Sequence, residues 1–197
     1  MVIAIHLIFG AYGFWLPNDP RGSWSDFVGS WELLRFGRAT KTDVRHSVAA
    51  KPHDVQSRLA AKRALKYPPV RFDGRQARAV GRGFAEFATG SRLIIWGCSI
   101  MPEHVHLVVA RHRFSADQIA NHLKGAATTE LIREGIHPLG DRRRADGRLP
   151  TPWARGKWAV FLDTPEGVRR AMAYVEANPA KEGLPPQRWR MVRPFDG

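Results

Sequence analysis

Apolar residues run from Val2 to Phe9 with a single interruption at His6. A continuous, β-branched-rich run of this length predicts a buried central strand. Successive side chains in a strand point to opposite faces, so His6 shares its side with Ala4 and Ile8 and reads as a core or cleft histidine. From residue 10 to residue 35 the pattern breaks: Gly10, Gly13, Pro17-Asn-Asp-Pro20 and Gly22 set turns, and Trp15, Trp24 and Trp31 stud a long loop. Residues 53–66 and 74–89 are compatible with helix, and the second stretch is amphipathic, with Ala77, Val80, Phe84 and Phe87 at steps of three and four. Residues 92–100 and 104–110 are again strand-like, and the short Met101-Pro-Glu103 link makes them an antiparallel hairpin. Ser115 with Gln118 forms a capping box, so a helix begins there, buries Ile119, Leu123, Ala126 and Leu131, and ends near Gly135 and Pro138. A basic loop at 138–152 leads to a strand at 157–162. Thr164-Pro165-Glu166 then opens a last helix, with Pro179 expected to stop it after Asn178.

The order is strand, insertion and helix, hairpin, helix, strand, helix. It predicts an α+β chain with a βαββαβ core, a ferredoxin-like antiparallel sheet carrying its helices on one face. To this core are added an N-terminal insertion at 10–70 and a C-terminal helix bearing Tyr174. Residues 1–184 read as a single domain and 185–197 as a basic, irregular tail around Trp189.

Composition narrows the function classes. The chain has 197 residues, of which 44% are hydrophobic, enough for a sizeable core. No apolar run reaches the length of a membrane span, and the N-terminus lacks the basic start and small-residue cleavage site of a signal peptide. The single Cys98 excludes an internal disulfide framework and a thiolate zinc cage, and fits a reducing, cytoplasmic setting. A formal net charge of +13 suits a polyanion, with nucleic acid the first candidate. Arginine, whose planar fork matches phosphate, dominates the basic set. Candidate backbone contacts are Arg75, Arg78 and Arg82 on the second helical stretch, Lys124, and Arg142, Arg143 and Arg144 in the basic loop. Seven tryptophans supply flat rings for the core or for stacking on bases.

Two stretches carry candidate chemistry. His104 and His106 flank Val105 in a strand, so both imidazoles share one face; they either sit on a half-solvated sheet surface or grip one metal ion. On the last helix Tyr174 and Asn178 are one turn apart on one face. Alone, such a tyrosine is a core residue or a catalyst, and such an asparagine is a ligand or a helix stop.

Together, Met101-Pro-Glu-His-Val-His-Leu-Val108 and Tyr174-Val-Glu-Ala-Asn-Pro-Ala-Lys-Glu-Gly-Leu184 resemble the HUH single-strand endonucleases with one tyrosine, and among them the REP-associated tyrosine transposases of the IS200-like group. Trp15-Leu-Pro-Asn-Asp-Pro-Arg-Gly-Ser-Trp24 is similar to a subgroup with an early insertion. The resemblance implies a metal-dependent single-strand DNA endonuclease and transposase. His104, His106 and Asn178 would hold Mg²⁺ or Mn²⁺, and Tyr174 would attack phosphorus to give a 5′-phosphotyrosine. Lys181 is the basic residue that follows the tyrosine motif and joins the DNA contacts. The implied partner is single-stranded or hairpin DNA, the implied setting the bacterial nucleoid, with the protein a monomer or a homodimer. The alternatives are a domesticated, non-catalytic binder of single-stranded nucleic acid with the same fold, and a metal-dependent hydrolase that uses water.

Overall fold

The computed structural model describes residues 1–16, 31–37 and 53–197. Its elements in chain order are β1 (Ala4–Gly10), α1 (Trp31–Leu34), α2 (Val55–Arg63), α3 (Gly74–Ser91), β2 (Ile95–Ile100), β3 (His104–Ala110), α4 (Ala116–Arg133), β4 (Trp158–Leu162) and α5 (Pro165–Lys181). The four strands form one sheet in the order β2-β3-β1-β4, with every neighbouring pair antiparallel. That is the strand order of a ferredoxin-like βαββαβ core.

Strand alternation separates the two faces. Ile5, Leu7 and Phe9 of β1 and Val105, Leu107 and Val109 of β3 point into the main core, which α3 and α4 cover with Val80, Phe84, Ile119, Leu123 and Leu131. Asp73 and Ser115 cap the starts of these helices, each in a full capping box. The helices cross closely because position 83 is glycine: a Cβ there would lie 2.7 Å from the backbone of Ala126 and Ala127. Across the sheet, Ala4 and Val108 meet Val168, Ala171 and Val175 of α5 in a second, smaller cluster. The two core helices thus lie on one face as expected, and the closing helix takes the other.

Two expectations are revised. Pro179 does not stop α5, which runs on to Lys181 with Pro179 inside it. The stop is Gly183, at φ 68, in a left-handed conformation that glycine adopts without a Cβ penalty. The amide of Gly183 donates to the carbonyl of Ala180 and that of Leu184 to the carbonyl of Pro179, the paired bonds of a Schellman motif. The tail, though irregular, is docked. The Gln187 amide accepts from the Ile100 N–H and donates to its carbonyl, both at 2.8 Å, as a neighbouring strand would. Arg193 N–H donates to Ile95 O at 2.8 Å. The Trp189 ring fills the space that a side chain at Gly81 would need. The edge of β2 is thereby covered.

The described part of the insertion builds its own small cluster from Leu16, Leu33 and Ala61. It is seated at the His104 end of the sheet: Ala11 N–H donates to Glu103 O, the Lys62 ammonium lies 3.5 Å from the Glu103 carboxylate, and just past the insertion Phe72 N–H donates to Pro102 O. Trp24 and the Pro17–Pro20 turn lie outside the described residues.

Candidate active site

β1 and β3 pair with Ile8 opposite His106 and His6 opposite Val108. This register brings His6, His104 and His106 to one face, the one across which α5 packs. Because α5 stays helical through Pro179, Tyr174, Asn178 and Lys181 fall on one side of it, at successive turns. The rings converge. His104 and His106 have centroids 4.9 Å apart, His106 and Tyr174 5.6 Å, and His6 and Tyr174 5.8 Å. The Lys181 ammonium sits 4.2 Å above the centre of the Tyr174 ring.

Each side chain is held from behind. His104 stacks on Phe14 at 4.7 Å, and Phe14 folds back over Gly10, where a Cβ would lie 2.7 Å from the Phe14 ring. His106 is buried, and its Nδ1 lies 3.2 Å from Nε2 of His6. Burial, with added repulsion from His104, His6 and Lys181, holds the His106 imidazole well below its ordinary protonation range. Burial alone lowers His6 to about 4. Both rings are therefore neutral near pH 7, with lone pairs to offer. Tyr174 is partly exposed, and burial of the remainder raises its phenol above the ordinary value of 10.0. The phenol is protonated at rest.

The donor set suits a divalent cation. Asn178 is buried, and its Nδ2 has no hydrogen-bond partner. A half-turn of the amide exchanges that nitrogen with the carbonyl oxygen, so the unsatisfied position can hold either end of the amide. Buried polar groups are normally paired, and an orphan marks a missing partner. Two imidazoles and one carboxamide also leave coordination positions open for oxygen. Among the described residues no group of three or more His, Cys, Asp or Glu side chains is gathered to hold a metal; the candidate set depends on the asparagine.

The other residues singled out in the sequence fall elsewhere. Arg75 and Arg78 are exposed on α3, in the helical layer across the sheet from the imidazoles. Arg82, on the same helix, is engaged by Glu130 of α4 and by Glu134 at its C-terminal cap, and this cluster ties the two helices together. Lys124 is corrected outright. It is buried, its ammonium donates to the carbonyls of Ala154 and Gly156 at 2.9 and 2.7 Å, and burial lowers it to about 8. It anchors the loop before β4 and has no exposed charge for a phosphate. Arg142, Arg143 and Arg144 are exposed in their loop, though each has a local partner, in Asp141, Gly147 O and Asp146. The tryptophans described in detail serve packing: Trp153 is buried against Phe9 and Phe72, and Trp96 packs on Phe195.

His6, Phe14 and Ser99 are the parts of the site that sequence reasoning did not assign. Ser99 lies opposite His106 in the β2–β3 register, fully buried, with its hydroxyl unpaired. For His6 the signal was its parity with Ala4 and Ile8, which becomes informative once β1 is known to pair with β3.

No protein-family model matches the sequence, and no curated protein is significantly similar to it. Solved structures similar in fold include the following two. One is a REP-associated tyrosine transposase bound to a REP hairpin, at 15% identity and a TM-score of 0.44, over 61% of this chain and 65% of that one. The chain thus spans just under two thirds of that relative's length. The other is a candidate transposase from Deinococcus radiodurans, at 12% identity and a TM-score of 0.41, over 89% of this chain and 90% of that one. Among the described residues no helix is long and apolar enough to cross a membrane.

Proposed function

We propose that this chain is a single-strand DNA endonuclease and transposase that cuts and rejoins DNA through Tyr174. The observation that carries the reading is the convergence of a half-exposed tyrosine and two strand imidazoles across a sheet–helix interface, with a buried, unpaired asparagine amide one turn along the same helix.

The Tyr174 oxygen attacks the scissile phosphorus. A phosphotyrosine bond forms, the bond from phosphorus to the 3′ oxygen breaks, and that oxygen leaves with a proton as a free 3′-hydroxyl. The phosphodiester energy is kept in the protein–DNA link, so an incoming 3′-hydroxyl can reverse the step at a new junction without a nucleotide cofactor. Tyr174 is exposed enough to reach a strand laid along the surface of α5, and the Lys181 cation over its ring favours the developing phenolate. His104, His106 and Asn178 would hold Mg²⁺ or Mn²⁺, which supplies Lewis-acid polarisation of the phosphate. Mn²⁺ accepts imidazole nitrogen more readily than Mg²⁺ does.

The substrate is DNA that is unpaired at the cut, in or beside a hairpin. A sheet site overhung by a helix admits a flexible strand more readily than a rigid duplex. The net charge of +13, with the exposed arginines of the 142–144 loop, supplies backbone attraction.

Labelled single-stranded hairpin DNA, incubated with the protein and Mn²⁺ and resolved on a denaturing gel, tests the reading. The native chain should give a protein-linked band that Tyr174→Phe lacks while still binding the DNA. Nicking by Tyr174→Phe would remove the tyrosine as nucleophile and leave a water-based hydrolase. Binding with no adduct across a broad hairpin panel would leave a non-catalytic binder.

A further inference from the structure

His6 shares the imidazole face but has no task in the chemistry above. It projects from β1, and its ring lies 5.4 Å from that of His106 and 5.8 Å from that of Tyr174. Its Nε2 is 3.2 Å from His106 Nδ1, the one hydrogen bond of the His106 ring among the described residues. Two neutral imidazoles at this distance share one proton, with one ring donating N–H and the other accepting with a lone pair. If His6 donated, the proton belonging to His106 would sit on its Nε2, and neither nitrogen of that ring would be open to a cation. If His106 donates from Nδ1, its Nε2 lone pair is free. Ligating histidines are commonly fixed in this way through their second nitrogen.

We propose that His6 is a positioning residue: its Nε2 accepts the Nδ1–H of His106, fixes that ring's tautomer and orientation, and leaves His106 Nε2 as the metal-ligating atom. The inference rests on the metal-dependent reading above and names a device within it. The usual partner in such a place is a carboxylate or a backbone carbonyl. A carboxylate here would set a negative charge beside a substrate that is itself a polyanion. An imidazole orients His106 without that repulsion. β1 is a central strand, paired on both sides by β3 and β4, so the acceptor is carried on a rigid element.

The test has one readout without metal and one with it. In the metal-free full chain, long-range proton–nitrogen NMR reports which nitrogen of each histidine carries the proton. His106 should be protonated at Nδ1 in the native protein and lose that preference in His6→Phe. His6→Gln, whose side-chain oxygen still accepts, should restore it. Mn²⁺ affinity measured by calorimetry should fall about 10–100-fold in His6→Phe and recover in His6→Gln. A native His106 protonated at Nε2 overturns the proposal, as does a His6→Phe variant that keeps both tautomer and affinity. A third imidazole nitrogen coupled to Mn²⁺ in pulsed EPR also overturns it, by making His6 a ligand. If the native chain takes up no Mn²⁺, or His104→Ala binds it unchanged, the metal-dependent reading fails instead, and the metal-free tautomers still decide the role of His6. Should His6→Phe not fold, the native and His6→Gln spectra carry the decision.

Discussion

At the scale of single residues, burial keeps the His6 and His106 imidazoles neutral, and this makes the fold sensitive to acid. His6 is lowered from 6.5 to about 4 when folded. Above pH 6.5 neither the folded nor the unfolded chain holds a proton there, and the group is neutral for stability. As pH falls from 6.5 toward 4, the unfolded chain takes up a proton that the folded chain refuses, and stability declines. The loss from His6 alone approaches about 3 kcal/mol at the lower limit. His106, shifted the same way, adds to it. Urea midpoints of the metal-free protein should therefore fall between pH 7 and pH 5, and His6→Gln should flatten that dependence. The parity of His104 and His106 was legible in the sequence because it is local to one strand. The involvement of His6 was not, because its hydrogen-bond partner is 100 positions away and the contact exists only through β1–β3 pairing. Lys124 was misread for a related reason. A lysine beside an apolar stripe looks solvated until a loop from beyond residue 150 closes over it.

At the scale of elements, α5 shows which signals decide. Its start was readable from Thr164-Pro165, because a cap and an N1 proline act on their own neighbours. Its end was read one turn early. A proline in the last turn removes one N–H, and here packing holds the turn helical: Pro179 and Asn178 are both buried. The decisive residue is Gly183. Nothing lies within 4 Å of where its Cβ would be, so a substitution there acts through conformation alone. Gly183→Ala should cost about 1 kcal/mol, the left-handed penalty of an L-residue, read as a lower urea midpoint. It should also loosen the turn that carries Lys181 and so reduce phosphotyrosine formation more than DNA binding. α3 was placed well by its apolar spacing, and α4 by its capping box and apolar spacing. Their pairing through Arg82, Glu130 and Glu134 was not, since charges spaced along two separate helices do not announce that they meet.

At the scale of the whole molecule, the sheet works as a partition. One face carries nearly all of the apolar core, and the other carries the three imidazoles beneath a single helix held by a few small side chains. Both long edges of such a sheet are open to unwanted pairing, and the tail closes the β2 edge with Gln187, Val192 and Arg193. Truncation after Leu184 should therefore leave a folded core that self-associates as concentration rises, measured by light scattering. The tail read as a basic appendage because its apolar contacts, through Trp189, Val192 and Phe195, follow no apolar period. The insertion touches the chemistry through a shorter route. Phe14 is at once the last aromatic of the chain leaving β1 before Trp15 and the plate against which His104 lies, and it has that place because Gly10 yields the space. The excursion and the imidazole are thus geared together through one ring. A strand of DNA, or any partner, that settles on the excursion and tugs at that ring would shift the imidazole face without ever reaching it.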